Sequence, residues 1–286
     1  MIRQALPLVA LLGLVGCGGA AITGPAGGDD SAAAPSGGVC DGTTIVCMDE
    51  ANAFSYDATK DEIHINNLPF DLDGTYQKVD GLTVGGQQVY RNANGARTYY
   101  ALYVQGTNTL TAASVAATDS YVDYGYSGTM FRGTGNVDLP TDAQATYQGS
   151  YQGIRIYEGG GAHGFSTGDV QMVIDFEDFD DTGAISTTVG NRVAYDANGA
   201  VLGALPSLVV ADTQHEGGVI AQTTISEGYG DTATGASGTL AGIFGGTDGD
   251  QVAGVLVLEG PDALDADVNV RETGAFVIDQ VSLIRP

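Results

Sequence analysis

The chain has 286 residues, 35 acidic against 10 basic side chains for a net charge of −25, 44 Gly, 14 Tyr and no Trp. Length and a 43% hydrophobic share exclude a disordered chain and allow one large or two modest domains with a real core. The negative field repels a phosphate backbone, so nucleic acid is excluded as a partner.

Met1 to Gly16 carry a single cation, Arg3, and then an apolar run from Ala5 to Val15. That is the pattern of an export signal, too short to span a bilayer. The run ends in Leu14-Val15-Gly16-Cys17, which resembles the bacterial lipobox. The resemblance implies cleavage before Cys17 and acylation of its thiol, hence attachment to outer-membrane lipid. Gly18, a non-acidic residue after the Cys, implies sorting to the outer membrane.

Residues 17–38 are rich in Gly, Ala, Pro and Ser and read as a flexible tether. As a random coil its 21 residues after Cys17 reach roughly 25 Å. If Cys17 is acylated, Cys40 and Cys47 remain, spaced to close a small disulfide loop at the start of the folded region. No further Cys or nearby His completes a tetrahedral metal set around them.

No window shows helical spacing, and alternation with turns dominates. The first folded half, 39–136, is expected to hold strands at Ala53–Tyr56, Glu62–Ile65, Leu82–Arg91, Arg97–Val104, Leu110–Ala116 and Tyr121–Phe131. The tyrosines Tyr99, Tyr100, Tyr103, Tyr121, Tyr124 and Tyr126 could form a contact surface. Cross-strand packing on a half-buried sheet is the favoured reading.

After a Gly-, Asp- and Pro-containing link at Asn136–Pro140, eight strands are expected in 137–286. They begin near Ala145, Asp169, Ala184, Ser207, Val219, Gly238, Gln251 and Val268. In the second, Val170, Met172, Ile174 and Phe176 share one face. Eight strands suit a small closed barrel filled with side chains. The fold class expected is all-β, an antiparallel handle-like domain followed by an eight-stranded barrel.

Four stretches carry a resemblance to a known family. They are Leu139-Pro140 with Ala145-Thr146-Tyr147 and Gly149; Val173-Ile174-Asp175-Phe176 with Gly183-Ala184-Ile185; Gly242-Ile243-Phe244-Gly245-Gly246 followed by Val252-Ala253-Gly254; and the last strand, Val268 to Gln280. In order and spacing they resemble the C-terminal barrel of the transferrin-binding protein B and factor H-binding protein group of surface lipoproteins. The resemblance covers about residues 137–284 and implies a preceding handle domain. It also implies a role in binding and export through a dedicated outer-membrane translocator. It gives Tyr147, Asp175, Phe176, Gly242, Phe244, Gly245, Gly246 and Gly254 structural roles. The glycines permit bending of the wall, with Phe244 or Ile243 pointing inward.

Signals for chemistry are weak. Gly164-Phe165-Ser166-Thr167-Gly168 matches G-x-S-x-G beside His163, but no helix pattern follows the Ser. Asp175, Glu177, Asp178, Asp180 and Asp181 read as a solvated turn rather than a calcium loop. Arg155, Arg192 and Arg271 are expected to be exterior ion-pair partners. There is no phosphate or dinucleotide fingerprint, and the three His are scattered, so no catalytic residues, cofactor or metal are expected. The expected function is a surface-exposed outer-membrane lipoprotein binding a protein or small solute through its loops. The alternative is a structural envelope lipoprotein without a soluble ligand.

Overall fold

The computed structural model of the protein describes residues 36–93, 96–177, 184–230 and 232–285, and every regular element among them is a strand. Cys17 and the export segment lie outside the described residues.

Nine strands build the handle: β1 (Ser36–Val39), β2 (Ile45–Asp49), β3 (Ala53–Asp57), β4 (Glu62–Asn66), β5 (Thr75–Val84), β6 (Gln87–Asn92), β7 (Tyr99–Gln105), β8 (Thr111–Ala117) and β9 (Ser127–Gly133). Their order, β1-β3-β4-β5-β6-β7-β8-β9-β2, curls the sheet until it nearly closes. The Cys40–Cys47 disulfide, with Cα atoms 5.7 Å apart, links the end of β1 to β2, the two edges of that sheet. Asp41 shapes the turn between them, its Oδ1 accepting from the N–H groups of Thr43, Thr44 and Ile45. Replacing both Cys40 and Cys47 by Ser should cost about 2 kcal/mol, the loop-closure value for so short a ring, read as a shift of the denaturant midpoint.

The second sheet holds β10 (Gln144–Tyr157), β11 (His163–Asp175), β12 (Ile185–Tyr195), β13 (Val201–Ala204), β14 (Ser207–Val210), β15 (His215–Glu216), β16 (Val219–Tyr229), β17 (Thr232–Gly245), β18 (Gln251–Asp262) and β19 (Asp265–Ile284). The antiparallel order β11-β10-β19-β18-β17-β16-β14-β12 closes through β11–β12, from Phe165↔Tyr195 to Ile174↔Ile185. Eight strands make the wall, and β13 and β15 are short annexes on β12 and β16.

Several strand limits differ from the sequence reading, each for a physical reason. Leu82–Arg91 is not one strand: Gly85 and Gly86, at φ 59° and 84°, make the two-residue turn of the β5–β6 hairpin. Tyr121–Tyr126 is a loop, and its strand begins at Ser127. Strands β11 and β17 start six residues earlier than expected, because Gly164, Gly168 and Gly235 lie inside strands rather than ending them, and β19 starts three residues earlier, at Asp265, where it pairs with Asp262. A side chain at Gly168 would press on Arg192 and the Gly190 carbonyl, so that glycine serves close packing of the wall.

Alternation sorts the apolar residues into three cores. Tyr147, Tyr151, Met172, Ile174, Phe176, Leu208, Leu240, Phe244, Leu256 and Phe276 fill the barrel. Phe54, Ile63, Ile65, Tyr76, Tyr99, Tyr103 and Met130 fill the handle. Between the two, Val104, Ala113, Val115 and Phe131 of the handle pack on Ile154, Phe165, Val255 and Val277 of the barrel wall. Strand β8 is buried at every position because both of its faces are covered. The uncovered wall over β10–β12 presents Gln148, Ser150, Asp169, Gln171, Thr188 and Asn191, not the apolar band a lipid-facing barrel needs.

Candidate functional site

The loop between β4 and β5, Asn67 to Gly74, departs furthest from ordinary backbone. Asn67, Phe70 and Leu72 all sit in the left-handed region, at φ 79°, 67° and 61°. Asn tolerates this region, but Phe70 and Leu72 each cost about 1–2 kcal/mol, so the surroundings must hold them there. They do. Leu68 is buried in the handle core. The Asn67 amide donates to the Glu50 carbonyl at 2.7 Å, and the Tyr99 hydroxyl to the Pro69 carbonyl at 2.9 Å. The Asp71 carboxylate, buried, accepts from the Tyr76 hydroxyl at 3.2 Å, while Asn92 donates to the Asp71 carbonyl at 2.7 Å. Burial pushes the Asp71 carboxyl above its ordinary range despite the hydroxyl it accepts from. At the exit only glycine fits, since a Cβ on Gly74 would overlap the Ile65 carbonyl. The outcome is a loop fastened at several points that leaves Phe70 62% and Leu72 76% exposed. The sequence signal for it was slight: Leu-Pro-Phe-Asp-Leu-Asp-Gly reads as a turn with ordinary hydrophobes.

One end of the barrel interior holds a buried charge network. Arg155 pairs with Asp262 at 2.8 Å and with Glu272 at 3.1 Å; Arg192 pairs with Glu227 at 2.6 Å and with Glu272 at 2.8 Å. The Tyr151 hydroxyl donates to Glu272 at 2.7 Å and Thr234 to Glu227 at 2.9 Å. Burial alone would raise the Glu272 carboxyl. Arg192 and Arg155, with the hydrogen bonds from Arg192 and Tyr151, outweigh it and hold the carboxyl at about 2. The expectation that Arg155 and Arg192 are exterior is therefore corrected: both point into the barrel and are 1% exposed. Arg271 does face outward, paired with Glu259 at 2.7 Å.

The residues singled out for the barrel occupy definite places. Tyr147, Phe176 and Phe244 meet inside it, with ring centroids of 5.9 Å for Tyr147–Phe244 and 6.4 Å for Phe176–Phe244. Ile243 instead packs outward against the handle. Gly254 makes room for the Phe276 ring, and Gly245 lies against Thr111 and Gly133 of the handle. Gly242 lies opposite Gly254 on β17–β18, and Gly246 turns the chain at φ 85°. Asp175 ends β11 and accepts from the Glu177 N–H at 3.1 Å. Asp178, Asp180, Asp181 and Gly183 lie outside the described residues.

The Ser166–His163 constellation does not form. Ser166 is enclosed in the barrel wall near Gly153, whereas His163 bonds Asp119 at 2.7 Å and stacks on Tyr100 at 3.9 Å on the handle side. Among the tyrosines, Tyr99 and Tyr103 are core, and Tyr121, Tyr124 and Tyr126 occupy the β8–β9 loop.

The class of protein so defined is all-β: a nearly closed nine-stranded handle packed on a closed eight-stranded barrel. The chain is similar in fold to a double mutant of transferrin binding protein B from Haemophilus parasuis (TM-score 0.43, 9% identity, covering 85% of this chain and 46% of that one). It is likewise similar to isotype 1 transferrin binding protein B from serogroup B Neisseria meningitidis (0.37, 14%, 83% and 43%) and to a surface lipoprotein (0.34, 10%, 86% and 97%). The chain thus spans about half the length of the transferrin binding proteins it matches. No protein-family model matches the chain, and no curated protein matches it in sequence.

Proposed function

We propose that this protein is an outer-membrane lipoprotein, displayed at the cell surface, that binds a protein partner through its Asn67–Gly74 loop and performs no catalysis. In this reading residues 1–16 are removed, Cys17 is acylated, and the stretch from Cys17 tethers the handle and the barrel (137–286), although the handle begins at Ser36 of β1 rather than at Val39, because Ser36–Gly38 pair with β3. Delivery follows the dedicated outer-membrane translocator implied by the resemblance. The observation that carries the binding role is the loop itself. Strain at Phe70 and Leu72, held by hydrogen bonds of which those to Asp71 are buried, serves to present both side chains to solvent, and such strain concentrates at functional segments. An exposed aromatic–aliphatic pair suits a protein pocket better than a small solute. β1 enters beside Tyr56, near the turn joining β3 to β4, whereas the loop follows Asn66 at the other end of those strands. The net charge of −25 would steer a basic partner to it.

Three measurements test this. Proteinase K on intact cells should remove the protein; protection would place it facing the periplasm. A photo-crosslinking benzoylphenylalanine in place of Phe70, in the full chain on cells, should give an adduct absent when it replaces Gln171. Phe70→Asp should weaken the adduct's partner roughly 30-fold or more, the scale of an interface anchor. Adducts confined to envelope proteins would favour the structural role instead, and no adduct at Phe70 would end the loop's assignment.

A further inference from the structure

A second surface is built for a different ligand. On the outside of the barrel, Ser237 of β17, Glu259 of β18 and Arg271 of β19 lie side by side in register. Thr239, Val257 and Asn269 flank this row, and Tyr124 from the handle's β8–β9 loop forms the wall of a cleft of about 550 Å³. That volume lies in the range of small-ligand clefts, roughly 300–1,000 Å³.

Its members are positioned before any ligand arrives. Arg271 is paired with Glu259 at 2.7 Å, and its guanidinium lies 5.9 Å from the Tyr124 ring centroid. The Asn269 amide donates to Glu158 at 2.7 Å. The loop carrying Tyr124 is fastened to the β10–β11 hairpin. Gly159 N–H donates to the Val122 carbonyl at 2.8 Å and Gly161 N–H to the Asp119 carbonyl at 2.6 Å. A side chain at Gly160 would press on the Tyr121 carbonyl, which keeps this approach glycine-only.

The chemistry selects the ligand class. An aromatic ring offers a face to C–H groups, while the hydroxyl, amide and carboxylate groups of Ser237, Thr239, Asn269 and Glu259 on the floor donate to and accept from hydroxyls. Arg271 is already neutralised by Glu259, and the chain's net charge is −25, so an anionic ligand is disfavoured. Glu259 and Glu158 each already accept a donor, which leaves little pull on a cation. Val257 is the one aliphatic branched side chain on the floor, too little for an apolar ligand. From this arrangement we infer that the Tyr124 cleft binds a neutral oligosaccharide, stacking one sugar on Tyr124 and hydrogen-bonding its hydroxyls to Glu259, Asn269 and Ser237.

The test uses the full chain against immobilised neutral tetrasaccharides (maltotetraose, cellotetraose, chitotetraose and lacto-N-tetraose), with sialyllactose and heparin as anionic counterparts. At least one neutral glycan should bind. Tyr124→Ala and Ser237→Arg should each weaken it roughly tenfold or more, the scale of one lost stacking or hydrogen-bonding contact. Tyr124→Phe should stay within about threefold, because the ring face is kept. Ser237 is exposed, so Ser237→Arg should leave the melting temperature unchanged and reports on the cleft alone. Binding of none of the neutral glycans, binding of the anionic ones only, or binding indifferent to Ser237→Arg would overturn the assignment.

Discussion

Replacing Glu272 by Gln should destabilise the protein by about 3 kcal/mol and lower its melting temperature by roughly 6–12 °C. Glu272 is the shared partner of Arg155 and Arg192 and is 1% exposed, so its neutralisation leaves two buried guanidiniums with one carboxylate each. The pH dependence has a definite sign. The carboxyl is held at about 2 against an ordinary 4.5, so the folded state releases its proton more readily than the unfolded chain. Its contribution is fully present above pH 4.5 and is lost as pH falls toward 2, a difference worth about 3 kcal/mol. In Glu272→Gln that acid step should vanish from the stability–pH curve. A variant as stable as the parent, or one with the same acid step, would show that the network is solvated rather than closed inside the barrel.

Gly133→Ala should cost about 2–3 kcal/mol, the usual scale of overpacking against atoms that cannot move aside. Gly133 ends β9 where the handle meets the barrel, and a Cβ there would overlap the backbone carbonyl of Phe244. Backbone bonds lock the same junction: Gly246 N–H to the Thr134 carbonyl and Asp248 N–H to the Asn136 carbonyl, both 2.8 Å. The methyl must therefore lift the handle off β17, exposing Val115, Phe131 and Ile243. Denaturant unfolding should show the fall in midpoint together with earlier loss of handle signals. Gly190→Ala, where the nearest atom is Ser207 Oγ at 3.9 Å, is the control and should change stability by less than about 0.5 kcal/mol. Equal behaviour of the two variants would mean that handle and barrel do not touch as described.

Much of the candidate protein-binding loop was invisible in the sequence. Phe70 and Leu72 are indistinguishable there from core residues, because exposure and a left-handed backbone are imposed by Tyr76, Asn92 and Tyr99, which reach the loop from other strands. The Tyr124 cleft is hidden for the same reason: its residues are 124, 237–239, 257, 259, 260 and 269, and they meet only when β17, β18 and β19 pair. Tyr121 to Tyr126 read as the start of a strand because alternating tyrosines and a following apolar run satisfy the same local pattern.

The amino-acid sequence by itself determined that this protein is all-β, that its second half holds eight wall strands, and that Val170, Met172, Ile174 and Phe176 share one strand face. Alternation and turn chemistry are local, and each strand's inward face follows from its own period of two. Only the tertiary structure decided that Arg155 and Arg192 point inward. A lone cation in a strand is favourable outside unless carboxylates from distant strands meet it, and here Glu227, Asp262 and Glu272 do. It likewise decided that Ile243 faces the handle while Phe244 fills the barrel, and that β8, a run of Ala, Ser, Thr and Val, is covered on both sides. Which surfaces cover each other depends on closure of the barrel and docking of the handle, and no window of neighbouring residues encodes either.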